Sequence, residues 1–95
     1  MTVLAFERYP VDPSRTNEFE ALVNDLLEQM RAAPGVLWAD AMKAFDDEPS
    51  YVLLSEWRTD ADLDAWSATE TAGGFADDVD AALRGEVTRR RLSSA

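Results

Sequence analysis

The sequence predicts an α+β domain of β-α-β-β-α-β order with an antiparallel sheet. Three observations carry this: one long stripe of apolar residues at helical spacing, four short β-type runs placed around it, and helix-start signals after the first and third of those runs. The chain has 95 residues, the length of one domain, so residues 1–95 are read as a single unit. Its 46% hydrophobic content argues against disorder.

Val3 to Tyr9 is apolar, β-branched or aromatic and stops at Pro10, which defines the first strand. Asp12-Pro13 then opens a helix, with Asp as N-cap and Pro at the first helical position. Phe19, Leu22, Val23, Leu26, Leu27 and Met30 recur at steps of three and four and form a single apolar face. Ala33-Pro34-Gly35 ends that helix. Val36 to Phe45 reads as the second strand. Asp46-Asp47-Glu48-Pro49-Ser50 reads as a polar turn, and Tyr51 to Trp57 as the third strand, so the two make a hairpin. Thr59 caps a short helix, with Asp62 completing a capping box and Leu63 and Trp66 on its apolar side. Gly73-Gly74 is expected to break this helix, with Phe75, Val79 and Leu83 on a further turn or two. Glu86 to Leu92 is the final strand, and residues 93–95 are a frayed tail. The order is the split βαβ, ferredoxin-like arrangement.

Both helices of such a fold cover one face of the sheet, and a strand with one wet face should alternate apolar and polar residues. The third strand does not. Tyr51, Leu53 and Trp57 point one way, and Val52 and Leu54 the other. The first strand sets Val3 and Ala5 against Leu4 and Phe6. The second sets Val36, Trp38 and Met42 against Leu37, Ala39, Ala41 and Phe45. Both faces need cover, which predicts a homodimer packed sheet to sheet.

Composition excludes much. The chain has no cysteine and no histidine, which removes the thiol nucleophile, the thiolate metal site, the commonest general base and the usual haem ligand. The lack of cysteine in so small a domain favours the cytoplasm. With 19 acidic and 9 basic residues, net charge −10, the surface repels phosphate backbones, so nucleic acid is not expected as a partner. No run of about 18 apolar residues offers a membrane span, and Met1-Thr2-Val3-Leu4 enters a strand directly, so no signal peptide is expected. Asp60-x-Asp62-x-Asp64 has an EF-hand beginning, but Ala65 and Thr71 stand where the loop requires Gly and Glu, so no metal site is expected.

Several segments together resemble one family. Val11-Asp12-Pro13, then Glu18-Phe19-Glu20-Ala21-Leu22, Ala33-Pro34-Gly35, Tyr51-Val52-Leu53-Leu54-Ser55-Glu56-Trp57 and Leu63-Asp64-Ala65-Trp66 follow the order and spacing of the antibiotic biosynthesis monooxygenases over nearly the whole chain. The resemblance implies a dimeric α+β barrel and oxygenation of polycyclic aromatic, polyketide-type substrates with O2 and no cofactor. It also leaves open an aromatic polyketide cyclase of the same barrel, or a non-catalytic small-molecule-binding or scaffold dimer, because fold alone does not fix the reaction. The match to the family's functional residues is partial. Trp57 matches its pocket tryptophan at the end of the third strand. Leu53 and Leu63 stand where the quinone-forming branch has Asn and Tyr. Trp66 stands where the haem-degrading branch has His. That branch's strand-1 Asn has only Ala5 or Glu7 as counterparts, which disfavours haem degradation.

The candidate catalytic residues are therefore Trp57, whose indole N–H could serve as a donor, and Tyr9, a possible acid at the mouth of the first strand. The candidate substrate walls are Trp38, Leu53, Leu63, Trp66 and Phe75. Each also has a plainer reading as core, with a Trp N–H satisfied by the protein itself. Glu56 and Arg58 point away from Trp57 and suit a salt bridge in the dimer interface. Glu7 and Arg8 pose the same question, between substrate contact and interface. Arg89-Arg90-Arg91 either attracts an acidic ligand or keeps an edge strand charged against aggregation. An enzyme should enclose a pocket with at least two polar groups aimed inward, whereas a scaffold should pack Trp57 on Trp66 with no void.

Overall fold

Eight segments acquire regular structure in the computed structural model, which describes residues 1–44 and 49–93. They are β1 (Val3–Pro10), a 3-10 turn (Pro13–Arg15), α1 (Thr16–Met30), β2 (Val36–Lys43), β3 (Ser50–Trp57), α2 (Asp60–Ser67), α3 (Glu70–Asp80) and β4 (Thr88–Ser93). The strands form one antiparallel sheet in the order β2-β3-β1-β4. The fold is the α+β, ferredoxin-like one that the sequence predicts.

Local chemistry sets the helix starts. Asp12 caps the 3-10 turn by accepting from the Ser14 N–H, with Pro13 at its first position. The Thr59 hydroxyl accepts from the Asp62 N–H at the head of α2. Between α1 and β2 the chain turns at Gly35, whose φ of +85° suits glycine. Its carbonyl accepts from the Arg58 N–H at 2.7 Å, which ties this turn to the exit of β3.

The helices cover one face of the sheet. Phe19, Val23, Leu26, Leu27 and Met30 are buried along α1, the apolar stripe read from the sequence. Phe19 is fully buried and touches three rings: Tyr9 at 5.5 Å, Tyr51 at 4.9 Å and Phe75 at 6.5 Å between centroids. Along β3, Ser50 is buried at the start; beyond it Tyr51, Leu53, Ser55 and Trp57 are buried and Val52, Leu54 and Glu56 between them only half so, which is the expected two-residue alternation.

Among the described residues, none forms a layer on the opposite face. Leu37, Trp38 and Met42 of β2 and Leu92 of β4 are 41–48% exposed. Leu4, Phe6, Val52 and Leu54 are half-buried in the same sheet.

Four expectations are corrected. Gly73-Gly74 does not break a helix. The break falls at Ala68-Thr69, where the Thr69 hydroxyl accepts from the Ala72 N–H and starts α3, which runs through both glycines. The final strand is Thr88–Ser93, not Glu86–Leu92, so Ser93 is in the sheet and not in a frayed tail. Residues 94 and 95 lie outside the described residues. Trp38 does not share a face with Val36. Glu56 pairs with Trp38 and Trp57 with Val36, so Leu37 is an extra residue on β2, a bulge that resets the alternation. Val36, Ala39 and Ala41 consequently pack on the core. Finally, β2 ends at Lys43, and Phe45 and residues 46–48 of the expected turn lie outside the described residues.

Candidate functional site

Parity along β1 turns Ala5, Glu7 and Tyr9 toward the helices. Register then sets their neighbours: Ala5 lies between Ser55 of β3 and Arg91 of β4, and Glu7 between Leu53 and Arg89. Above them, α2 and α3 stand off β4, and a cavity of about 380 Å³ opens between these layers. Its apolar wall comes from Leu26 and Met30 of α1, Leu63 and Trp66 of α2, and Phe75 of α3, and its polar wall from Glu7, Tyr9, Ser55, Arg89 and Arg91. The volume falls within the roughly 300–1,000 Å³ of small-molecule sites, which are mostly apolar with a few placed polar groups.

The polar groups are organised. The Tyr9 hydroxyl donates to Glu7 Oε2 at 3.2 Å, and Arg89 Nε donates to the same oxygen at 3.0 Å. Burial of the Tyr9 ring, and then the neighbouring Glu7 charge, push the phenol far above its ordinary pKa, so it stays protonated. Edge-on contact with Phe75, at 5.8 Å and 85°, fixes the ring. Arg91 bridges Asp60 at 2.8 Å and Asp64 at 2.7 Å. That pair ties the edge strand to α2 across the cavity rim. Ser55 Oγ accepts from Trp57 Nε1 at 2.9 Å.

The residues expected to form the site divide accordingly. Tyr9, Leu63, Trp66 and Phe75 meet around the cavity. Leu53 is in the core and does not line it. Trp57 is fully buried behind Trp66, the two rings stacked at 6.1 Å and 26°. Its N–H is consumed by Ser55, so the expected donor to substrate is satisfied inside the protein and acts on the cavity only through that serine. Trp38 is not a wall: it lies on the open face of the sheet, where Nε1 donates to Glu56 Oε1 at 2.7 Å. The Thr2 hydroxyl holds the other Glu56 oxygen at 2.6 Å. These two hydrogen bonds lower the Glu56 pKa. The Trp57–Trp66 stack and the open cavity coexist, so the two arrangements that the sequence set against each other are both present.

Sequence reasoning left Ser55 out of the site and weighed Glu7 and Arg89 for ligand contact without choosing them. The signal for Glu7 and Ser55 was present, since each is two residues from an inward aromatic on its strand. Among the described residues, no group of three potential ligands is placed to hold a metal ion, and no helix is long and apolar enough to cross a membrane.

A three-helix layer on a four-stranded antiparallel sheet, with a cavity of about 380 Å³ between them, defines a small α+β domain of ferredoxin-like fold. The chain belongs to the antibiotic biosynthesis monooxygenase family, whose sequence model matches residues 2–78. No curated protein sequence matches it. Among solved structures, a conserved protein from Methanosarcina mazei superposes with a TM-score of 0.95 at 16% identity, covering 100% of this chain and 94% of that one. Rv0793 from Mycobacterium tuberculosis gives 0.92 at 20% identity, with 100% and 96% covered. An antibiotic biosynthesis monooxygenase gives 0.90 at 22% identity, with 98% of each chain covered. At these identities the likeness establishes the fold.

Proposed function

We propose that the protein is a cofactor-independent monooxygenase that oxidises a flat, polycyclic, polyketide-type aromatic with O2, and that it works as a homodimer joined through the open sheet faces. The observation that carries the reading is the cavity itself, with aromatic walls from Trp66 and Phe75 and polar groups gathered at the β1–β4 end. An anthrone-type methylene flanked by aromatic rings and conjugated to a carbonyl is acidic for a carbon acid. Its carbanion can pass an electron to O2. Recombination gives a hydroperoxide, and loss of water gives the ketone. One methylene and one molecule of O2 thus become one ketone carbonyl and one water, with an oxygen atom in each product and no external reductant. Such a reaction asks the protein for a dry, shaped site and for groups that favour the anion. The apolar open face, with Leu37, Trp38, Met42 and Leu92 exposed, supports a second copy as its cover.

A second reading, a ligand-binding dimer without chemistry, draws support from Leu53 and Leu63 and from the internal satisfaction of the Trp57 N–H.

The test is O2 uptake with an anthrone, with chelator present and the autoxidation blank subtracted, for wild type and Trp66→Ala at equal dimer content. Saturable uptake that falls in the variant is the expected result. Anthrone binding with no uptake above the blank overturns the oxygenase in favour of the binding dimer. Ring closure of a linear polyketide mimic without O2 consumption points to a cyclase.

A further inference from the structure

We propose that Glu7 is the base that removes the substrate proton in this cavity and that Arg89 holds the anion so formed. The proposal rests on the oxygenase reading above and names the residues that would begin its chemistry.

A carboxylate on the helix-facing side of a central strand is costly to desolvate, and it persists only where partners or function compensate. Glu7 has partners, but they are arranged unevenly. Tyr9 and Arg89 both donate to Oε2. Oε1 receives no hydrogen bond from a described residue. It is not sealed in, because no buried side-chain oxygen or nitrogen among the described residues lacks a partner. Glu7 lines the cavity with its side chain 25% exposed. One oxygen is thus clamped by the protein, and the other stays accessible on a residue that lines the cavity.

Its competitors are engaged elsewhere. Asp60 and Asp64 are bound to Arg91 at the rim and do not line the cavity. Tyr9 stays protonated and is a positioning donor. Glu7 is the only carboxylate among the described lining residues. Arg89 spends Nε on Glu7 and also interacts with the Tyr9 hydroxyl, but its side chain is 56% exposed, and no carboxylate other than Glu7 is paired with its terminal nitrogens among the described residues. They remain available at the same end of the cavity to an oxyanion.

The step balances. The methylene C–H bond breaks and the O–H bond forms on Glu7 Oε1. The electron pair moves through the ring onto the carbonyl oxygen, which becomes an enolate held by Arg89. No oxidant is needed until O2 arrives. The two halves of the reaction can therefore be separated.

The experiment uses that separation. Anthrone is incubated in D2O without O2, and loss of its methylene proton signal is followed by NMR. Binding is followed independently by quenching of tryptophan fluorescence, and folding by circular dichroism. Wild type should accelerate exchange over buffer. Glu7→Gln should lose about 100-fold or more of that acceleration, the usual share of a general base, while anthrone still binds. Arg89→Met should lose about tenfold or more through the missing charge stabilisation. Glu7→Asp, which keeps the carboxylate but shortens its reach, should fall between wild type and Glu7→Gln. It serves as the reporter if the Gln variant does not fold. A folded, anthrone-binding Glu7→Gln that exchanges at the wild-type rate overturns the assignment of the base while leaving the oxygenase standing. So does Glu7→Asp at the wild-type rate if the Gln variant is lost. Wild type that neither exchanges nor consumes O2 overturns the substrate reading and this proposal with it.

Discussion

Replacing the two glycines of α3 one at a time separates helix stability from cavity shape. Gly73 and Gly74 lie in the interior of an eleven-residue helix, where glycine costs about 0.5–1 kcal/mol relative to alanine through lost backbone entropy. Neither occupies a left-handed conformation, and a Cβ built at either position meets nothing within 4 Å. No clash therefore offsets the gain. Each Gly→Ala change should stabilise the fold by about 0.5–1 kcal/mol, which in a domain of this size raises Tm by roughly 2–8 °C. The two positions differ in what they face. Gly73 lines the cavity, whereas Gly74 faces a shallow groove against α1. A methyl at 73 intrudes on a ligand that fills the cavity, and overpacking of that kind costs about 1–3 kcal/mol. Gly73→Ala should therefore bind anthrone roughly tenfold more weakly, since tenfold is about 1.4 kcal/mol, and Gly74→Ala should bind it unchanged. Thermal unfolding followed by circular dichroism and fluorescence titration are the assays. A fall in Tm for Gly74→Ala would refute the reasoning, because it would mean the helix is interrupted there after all.

Gly35→Ala should destabilise by about 1–2 kcal/mol from the positive φ alone, and further because the new Cβ would collide with the Asp62 side chain. Urea denaturation checks this, and an unchanged midpoint would contradict the turn geometry. Glu56 has a depressed pKa, caused first by the Thr2 hydroxyl and then by the Trp38 N–H. Its stabilising contribution is therefore complete above the ordinary value of 4.5 and lost as pH falls through the lower folded value. Wild type should show a stability loss on that acid limb that Glu56→Gln lacks, as read by unfolding midpoints across the range. Met42→Glu puts a charge on the open sheet face and should convert a dimer to a monomer with its cavity intact. Sedimentation velocity decides this, and a wild type that is monomeric at high concentration would remove the sheet-to-sheet interface.

Much of the fold was legible because it rests on local rules. The α1 stripe, the caps at Asp12 and Thr59 and the alternation along β3 all follow from spacing. The failures were also local. Gly-Gly reads as a helix breaker by propensity, but packing of Phe75 and Val79 carries α3 through it, while Thr69 supplies the real start. Trp38 was sent to the wrong side because one extra residue at Leu37 shifts every later side chain of β2 by one face, and a bulge leaves no mark in composition. Tyr9 was chosen, whereas Glu7 was left between substrate contact and the dimer interface, although both share one face of β1. Arg89 pairs with a residue 82 positions earlier, a distance that no spacing rule spans.

That distance bears on the order in which the molecule assembles. One of the sheet's two inner strands, β1, is at the front of the chain, yet its two neighbours are β3 and β4, the latter beginning at Thr88. The β2–β3 hairpin closes over a short connection and should form early, whereas joining β1 to β4 requires closing nearly the entire chain and should come late. Since β4 brings Arg89 and Arg91, the cavity should gain its cationic side late in folding. Amide protons of β4 should exchange before those of β3, and brief opening of this one edge would empty the site while leaving the rest of the sheet in place.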